Sequence, residues 1–260
     1  MKYKMVAIDI DGTLLNSEGK VPKMHKKGIQ MAQEKGVYVV LATARYYMQA
    51  KDIMDELNYK GILVSNDGAV SIEQTTKKIL HDNSFSINDV AHFINACRKN
   101  NVQFSVITAF DYFVESISED HKRNCEEYCV DYTLCEDVLN ISERVMKFAI
   151  MDTTKVGGWQ HITPSEKLRL RIDGDFWKEY LCKKATKTNS LKEIANNLNI
   201  APSEIIAIGD QFNDIDMIEY AGMGIAMGNA PDNVKEIADD VTLSNDDDGV
   251  YHAINKYFLD

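Results

Sequence analysis

The chain has no surplus of positive charge. Its 29 lysines and arginines stand against 40 aspartates and glutamates, a formal net charge of −11. That balance argues against nucleic acid or an anionic membrane surface as the main partner. It also lacks a membrane span: the longest apolar runs, such as VYVVLATA, fall far short of the roughly 20 residues a spanning helix needs. The N-terminal MKYKMVAIDID carries no secretory pattern. These absences predict a cytoplasmic protein. There is no CxxC pair, and five cysteines are an odd number, which fits reduced thiols better than a disulfide framework. No internal repeat or low-complexity segment is found.

What is present is an alternation of strand and helix signals. KMVAIDI reads as a strand, PKMHKKGIQMAQEKG as a helix with Pro22 near its start and Gly36 beyond its end. VYVVLAT is a strand, YYMQAKDIMDEL a helix and GILVSN a strand, a βαβαβ order that implies a parallel sheet under helices. From about residue 82 the pattern changes to an α+β section: a helix at SINDVAHFINACRKN, strands at VQFSVIT, YFVESI and VMKFAIM, and a hairpin of LRLRI and FWKEYL turning at DGD. Alternation resumes near 187 and runs to the C-terminus, where Asp248 is a candidate cap for the last helix. The expected architecture is α/β, with a parallel-sheet core from residues 1–81 and 185–260. An α+β domain over 82–184 interrupts it.

The stretch VAIDIDGTLL ends an apolar run in two aspartates one residue apart. In an extended chain Asp9 and Asp11 point to the same side. Two unit charges about 5 Å apart at an effective dielectric of about 20 repel by about 3 kcal/mol, so the pair calls for a proton or a cation. IIAIGDQFND repeats the theme: a strand ends in Gly209-Asp210, and Asn213 and Asp214 begin a helix. Open parallel sheets bind ligands beyond the carboxyl ends of their strands. Asp9, Asp11, Asp210 and Asp214 can converge there on one hard cation with oxygen ligands, Mg²⁺. LATAR brings Thr43 to the same edge as a hydroxyl donor to phosphate. ATKTNSLKEIA places Lys187 just before a helix whose Ser190 and Glu193 have capping-box spacing.

These motifs resemble the haloacid dehalogenase superfamily of phosphohydrolases, in its Cof-type sugar-phosphatase branch. DIDGTLL matches the first motif, LATAR the second, Lys187 in ATKTNSL the third and IGDQFNDIDMI the fourth; GIAMGNAPDNVKEIADDVTLSNDDDGV is also similar to that branch. The resemblance implies a Rossmann-like core with a type IIB α/β cap inserted after the third core strand, the cap selecting the substrate. It implies Asp9 as nucleophile and Asp11 as general acid and base. Thr43, Lys187 and Asn213 would bind the phosphate. Asp9, the backbone carbonyl of Asp11, and Asp210 would hold Mg²⁺, with Asp214 in support. Aspartate at position 11 points away from the family's ion pumps and dehalogenases. The implied activity is hydrolysis of a small phosphorylated metabolite, plausibly a sugar phosphate, through an aspartyl-phosphate. The rivals are a phosphomutase and a non-catalytic sensor of phosphometabolites.

The chain departs from the branch at Ala44, where glycine is usual, and at Thr188, also usually glycine. VSNDGA stands where NGA is common, so either Asn66 or Asp67 takes the asparagine's place. Two further patterns stay open. His121, Cys125 and Cys129 recur at helical spacing before Cys135, a packed stripe or a zinc site. Lys167, Arg169 and Arg171 alternate on one strand, a solvated face or a basic surface for anionic substrates.

Overall fold

The computed structural model describes residues 2–259. The first segment runs through β1 (Met5–Asp9), α1 (Lys23–Glu34), β2 (Tyr38–Ala42), α2 (Tyr47–Leu57), β3 (Ile62–Ser65), β4 (Val70–Glu73) and β5 (Ile79–Asp82). The middle contains α3 (Ala91–Asn100), β6 (Gln103–Ile107), β7 (Tyr112–Val114), α4 (Glu119–Glu127), β8 (Thr133–Leu134), β9 (Lys147–Met151), β10 (Leu168–Asp173) and β11 (Trp177–Cys182). The last segment holds α5 (Lys187–Asn197), β12 (Ile205–Gly209), α6 (Ile215–Tyr220), β13 (Met223–Ala226), α7 (Asp232–Lys235), β14 (Asp240–Val241) and α8 (Gly249–Ile254). The chain divides into two compact units. One comprises the residues up to Ala44, Ile53–His81 and everything from Thr186; the other comprises Arg45–Asp52 and Asp82–Ala185.

The first unit is built on an eight-stranded sheet ordered β14-β13-β12-β1-β2-β3-β4-β5. Strands β14 through β3 are mutually parallel, and β3 turns back antiparallel into β4. Alternation sets the two faces. Met5, Ala7, Val40, Ala42, Ile62, Val64, Ile205 and Ala207 form one cluster with Leu191, Ile194 and Ala195 of α5 and Met217 of α6. Val6, Ile8, Val39 and Leu41 point the other way and are equally buried. A sheet buried on both faces explains why its strands read as nearly continuous apolar runs. β1 lies between β12 and β2, with Asp9 in register with Ala42. The segments leaving the carboxyl ends of β1, β2, β3 and β12 therefore rise side by side.

Two features of this unit were not visible in sequence. β4 and β5 follow β3, and each is only four residues long. Asp248 precedes α8 in a left-handed conformation, φ 60°, and its side chain makes no cap bond, so the expected cap is absent.

The second unit is a six-stranded sheet ordered β10-β11-β9-β6-β7-β8, antiparallel except for β7 with β8. Phe93, Ile94 and Cys97 of α3 pack with Phe104, Val106, Phe148, Ile150 and Tyr180 of the sheet. The three cations expected to alternate do not form one row, because a bulge between Leu170 and Ile172 breaks the register at Arg171. Each is engaged inside the unit. Lys167 meets Asp89 at 3.2 Å, Arg169 donates to the Ala185 carbonyl, and Arg171 meets the buried Glu179 at 2.8 Å.

The zinc reading of His121, Cys125, Cys129 and Cys135 fails. Helix α4 stops at Glu127 and Cys129 lies beyond it at φ 50°, so the helical spacing is not continued. Among the described residues these four form no metal-sized cluster. The five thiols are free. His121 instead packs at 1% exposure, its Nε2 3.0 Å from the Tyr112 hydroxyl and its Nδ1 without a partner. Burial pushes the His121 imidazole down to about 4. The unfolded chain, titrating near 6.5, then binds the extra proton first, so stability is complete above about pH 6.5 and is lost as pH falls toward 4. The loss attributable to His121 is about 2–3 kcal/mol. Chemical denaturation of His121→Gln against the parent at several pH values measures it: the variant should lose correspondingly less stability across this window. Equal slopes would refute the assignment.

Candidate active site

The site begins where β1 ends. Asp9 is 5% exposed at the last strand position. The strand then gives way to a loop: the Leu15 amide donates back to the Ile10 carbonyl at 2.9 Å, and between them Asp11 is extended at φ −82°, ψ 117° while Gly12 turns the chain at φ 79°. This corrects the expected side-by-side pair. The i, i+2 rule holds only within a strand, and Asp11 lies past its end, exposed and outside the carboxylate cluster. The carboxylates that face Asp9 are Asp210 and Asp214 from the far end of the chain. The three are buried, with ligand oxygens within 4.8 Å of one another.

Lys187 is the counter-ion. It is the first residue of α5, 2% exposed, with Nζ 2.5 Å from Asp9 Oδ1 and 2.7 Å from Asp214 Oδ1. The helix start also differs from expectation. Thr186 is the cap, its hydroxyl accepting from the Asn189 amide at 3.1 Å. Ser190 lies inside the helix, so Ser190 and Glu193 form no capping box. Its Oγ leaves the helix to donate to the Gly68 carbonyl at 2.8 Å.

Asp214 is fully committed. Its Oδ1 takes the Lys187 ammonium and its Oδ2 accepts the backbone amides of Asp210 and Gln211, both at 3.1 Å. Gly209 is required beneath it, because a Cβ there would lie 2.5 Å from Asp214 Cβ. Asp210 keeps only neutral donors, Thr13 Oγ1 at 2.9 Å and Gln211 Nε2 at 3.2 Å. A side chain at Gly12 would meet Asp210 Oδ2 at 2.4 Å, so only glycine lets the first loop approach so closely.

Thr43, wholly buried, follows β2 one strand from Asp9. Its N–H donates to the Val64 carbonyl at 2.8 Å, and its own carbonyl accepts the Asp67 amide at 2.9 Å. Asn213 is exposed on the loop that carries Asp210 and Asp214. Residues not singled out from sequence complete the frame. Thr13 holds Asp210. Asn229 donates to the Gly12 carbonyl at 2.8 Å and Asn245 to the Leu15 carbonyl at 2.8 Å. His25 Nδ1 lies 2.9 Å from the Leu14 carbonyl, while the Val250 amide donates to its Nε2 at 3.3 Å.

The electrostatics follow from this geometry. Burial pushes the Asp9 carboxyl well above its usual range, with Asp214 and Asp210 adding to the rise and Lys187 opposing it. Burial also raises Asp210, and Asp214 raises it further. Burial works against the Lys187 charge, but Asp9 and Asp214 outweigh it and hold the ammonium protonated. Three buried carboxylates against one ammonium leave negative charge that a fold tolerates poorly. An all-oxygen donor set in that state fits a hard divalent cation.

The model of the haloacid dehalogenase-like hydrolases matches residues 6–254. The chain belongs to that family. Within it the chain is of the Cof type. Among curated family members, phosphatase YwpJ of Bacillus subtilis is 29% identical, the alignment covering 98% of this chain and 100% of the relative. A second protein of that organism, 5-amino-6-(5-phospho-D-ribitylamino)uracil phosphatase YcsE, is 27% identical over 98% and 96% of the two chains. Among solved structures, a haloacid dehalogenase-like hydrolase from Bacteroides thetaiotaomicron superposes with a TM-score of 0.87 at 28% identity, over 99% of this chain and 100% of that one. The α/β class with its parallel-sheet core is thus the family's fold. Among the described residues no helix is long and apolar enough to cross a membrane.

Proposed function

We propose that this haloacid dehalogenase-like hydrolase is a Mg²⁺-dependent phosphatase. Its substrate is a small phosphorylated metabolite of the sugar-phosphate class, and it acts through an aspartyl-phosphate on Asp9. The observation that carries the reading is the buried Asp9 carboxylate, held 2.5 Å from Lys187 Nζ among the carboxylates of Asp210 and Asp214. Phosphoric monoester hydrolysis is the chemistry its family and relatives support. The name of the relative YcsE, whose substrate carries a phosphorylated ribityl chain, supports the sugar-phosphate class.

The carboxylates of Asp9 and Asp210 and the Asp11 carbonyl would hold the cation, while Asp214, with both oxygens taken, orients Lys187 and the loop beneath. A bound Mg²⁺ supplies charge neutralisation between two anions that must meet. Lys187 and Thr43, with Asn213, stabilise charge on the non-bridging phosphoryl oxygens. The Asp9 carboxylate attacks phosphorus as the bond to the leaving oxygen breaks, and Asp11 passes its proton to the departing alkoxide. Asp11, now a carboxylate, takes a proton from the water that attacks the aspartyl-phosphate. Inorganic phosphate leaves, and Asp9 and Asp11 regain their first states. The exposure of Asp11 suits a group that exchanges protons with water.

A panel of phosphorylated metabolites with Mg²⁺ tests the reading. One or more should release inorganic phosphate in stoichiometric amount with the free alcohol. An isomerised phosphate ester in place of free phosphate would make the protein a mutase. Binding without turnover across the panel would make it a sensor.

A further inference from the structure

We propose that the left-handed turn Asn66–Asp67–Gly68 is the positioning element for the phosphate-binding pair Thr43 and Lys187, with Ser190 as its fastening. This rests on the roles given to Thr43 and Lys187 above. Three successive residues have positive φ, 50°, 55° and 88°, and the first two are not glycine. Asn66 is fully buried and its Oδ1 has no partner. Such a backbone persists only where its surroundings over-determine it, and it clusters at functional sites.

The surroundings are the two arms of the phosphate site. On one side the Asp67 amide donates to the Thr43 carbonyl at 2.9 Å, so both backbone groups of Thr43 are held from β3 and its turn. On the other side the turn abuts the start of α5. A Cβ at Gly68 would lie 2.1 Å from the Thr186 carbonyl oxygen and 2.8 Å from the Lys187 nitrogen. Ser190 Oγ closes this contact by donating to the Gly68 carbonyl at 2.8 Å. A serine inside a helix ordinarily spends its hydroxyl on water or on the carbonyl four residues back. Ser190 spends it across 122 residues of chain, on the turn that also holds Thr43. Lys187 and Thr43 are thereby referenced to one rigid piece of backbone. Misplacement of such groups by about 1 Å can cost about 100-fold in rate.

The experiment is a double-mutant cycle on the full chain, read by calorimetric titration with inorganic phosphate in the presence of Mg²⁺. Lys187→Ala should weaken phosphate binding about 100-fold. Ser190→Ala should weaken it about fivefold, the loss expected of one hydrogen bond. Ser190→Cys, isosteric but a weaker donor, should fall between Ser190→Ala and the parent. If Ser190 acts through Lys187, the double variant binds no more weakly than Lys187→Ala alone, within about twofold. A partly unfolded sample lowers the stoichiometry and leaves the affinity intact, so misfolding is told apart from mispositioning. Additive effects of the two substitutions, or no effect of Ser190→Ala, overturn the positioning role while the function of Lys187 stands. Unchanged phosphate affinity in Lys187→Ala overturns the reading of Lys187 and this proposal with it.

Discussion

Asparagine at position 9 should leave no phosphoryl-enzyme with any substrate, whereas asparagine at position 11 should trap one. On the roles proposed above, Asp9→Asn removes the attacking carboxylate. Asp11→Asn keeps it but loses the group that protonates the leaving oxygen and later activates water. An alkoxide leaves poorly without that proton, so a sugar phosphate should react very slowly. An aryl phosphate leaves without much help, so its first step should survive in part. The second step should then slow by about 10²–10⁴-fold, the usual value of general base help, and the aspartyl-phosphate should accumulate. Intact-protein mass spectrometry after acid quench, with an aryl phosphate as substrate, reads the adduct directly. An adduct persisting on Asp9→Asn would assign the nucleophile elsewhere. The structure makes this a clean comparison, because Asp11 is exposed while Asp9 touches Lys187, so only Asp9→Asn disturbs the buried charge.

The second large effect concerns the cation. Removing divalent ions with a chelator should abolish turnover, and Mg²⁺ should restore it. Ca²⁺ takes more ligands at about 2.3–2.6 Å, against about 2.0–2.1 Å for Mg²⁺, and should bind without supporting good turnover. Binding has its own readout: Mg²⁺ should raise the thermal midpoint of the parent with concentration, and Asp210→Asn should blunt that rise. Full activity in excess chelator would sink the assignment.

Much of this site was legible because its chemistry sits at strand ends. An apolar run that stops in a polar residue is a local signal, and Asp9, Thr43 and Asp210 each end or follow one. Asp11 was misplaced because two residues of spacing say nothing once the strand has ended, and Ile10 already belongs to a turn. Ser190 was misread because Ser-x-x-Glu is the spacing of a capping box, while Thr186, four residues earlier, performs the capping. β4 and β5 escaped because VSIE and ILHD mix polar residues into short runs, so neither stands out as an apolar segment. Thr13, Asn229 and Asn245 carry no local mark at all. Their partners lie 197, 217 and 230 residues away, a proximity that only the assembled sheet creates.

That same pairing of distant segments governs the order in which the molecule can come into being. β1 is an inner strand, fourth from the β14 edge, and its neighbour β12 pairs Met5 with Ile205. During synthesis Asp9 therefore leaves the ribosome long before the carboxylates and the lysine that complete its surroundings. Until then Asp9 has no ammonium partner, and the loop after it lacks the tethers from Asn229 and Asn245. Pairing of such distant segments is intrinsically slow, since loop closure must precede any reward. On the function proposed above, a chain that stops short of Asp214 lacks the groups that complete the Asp9 site.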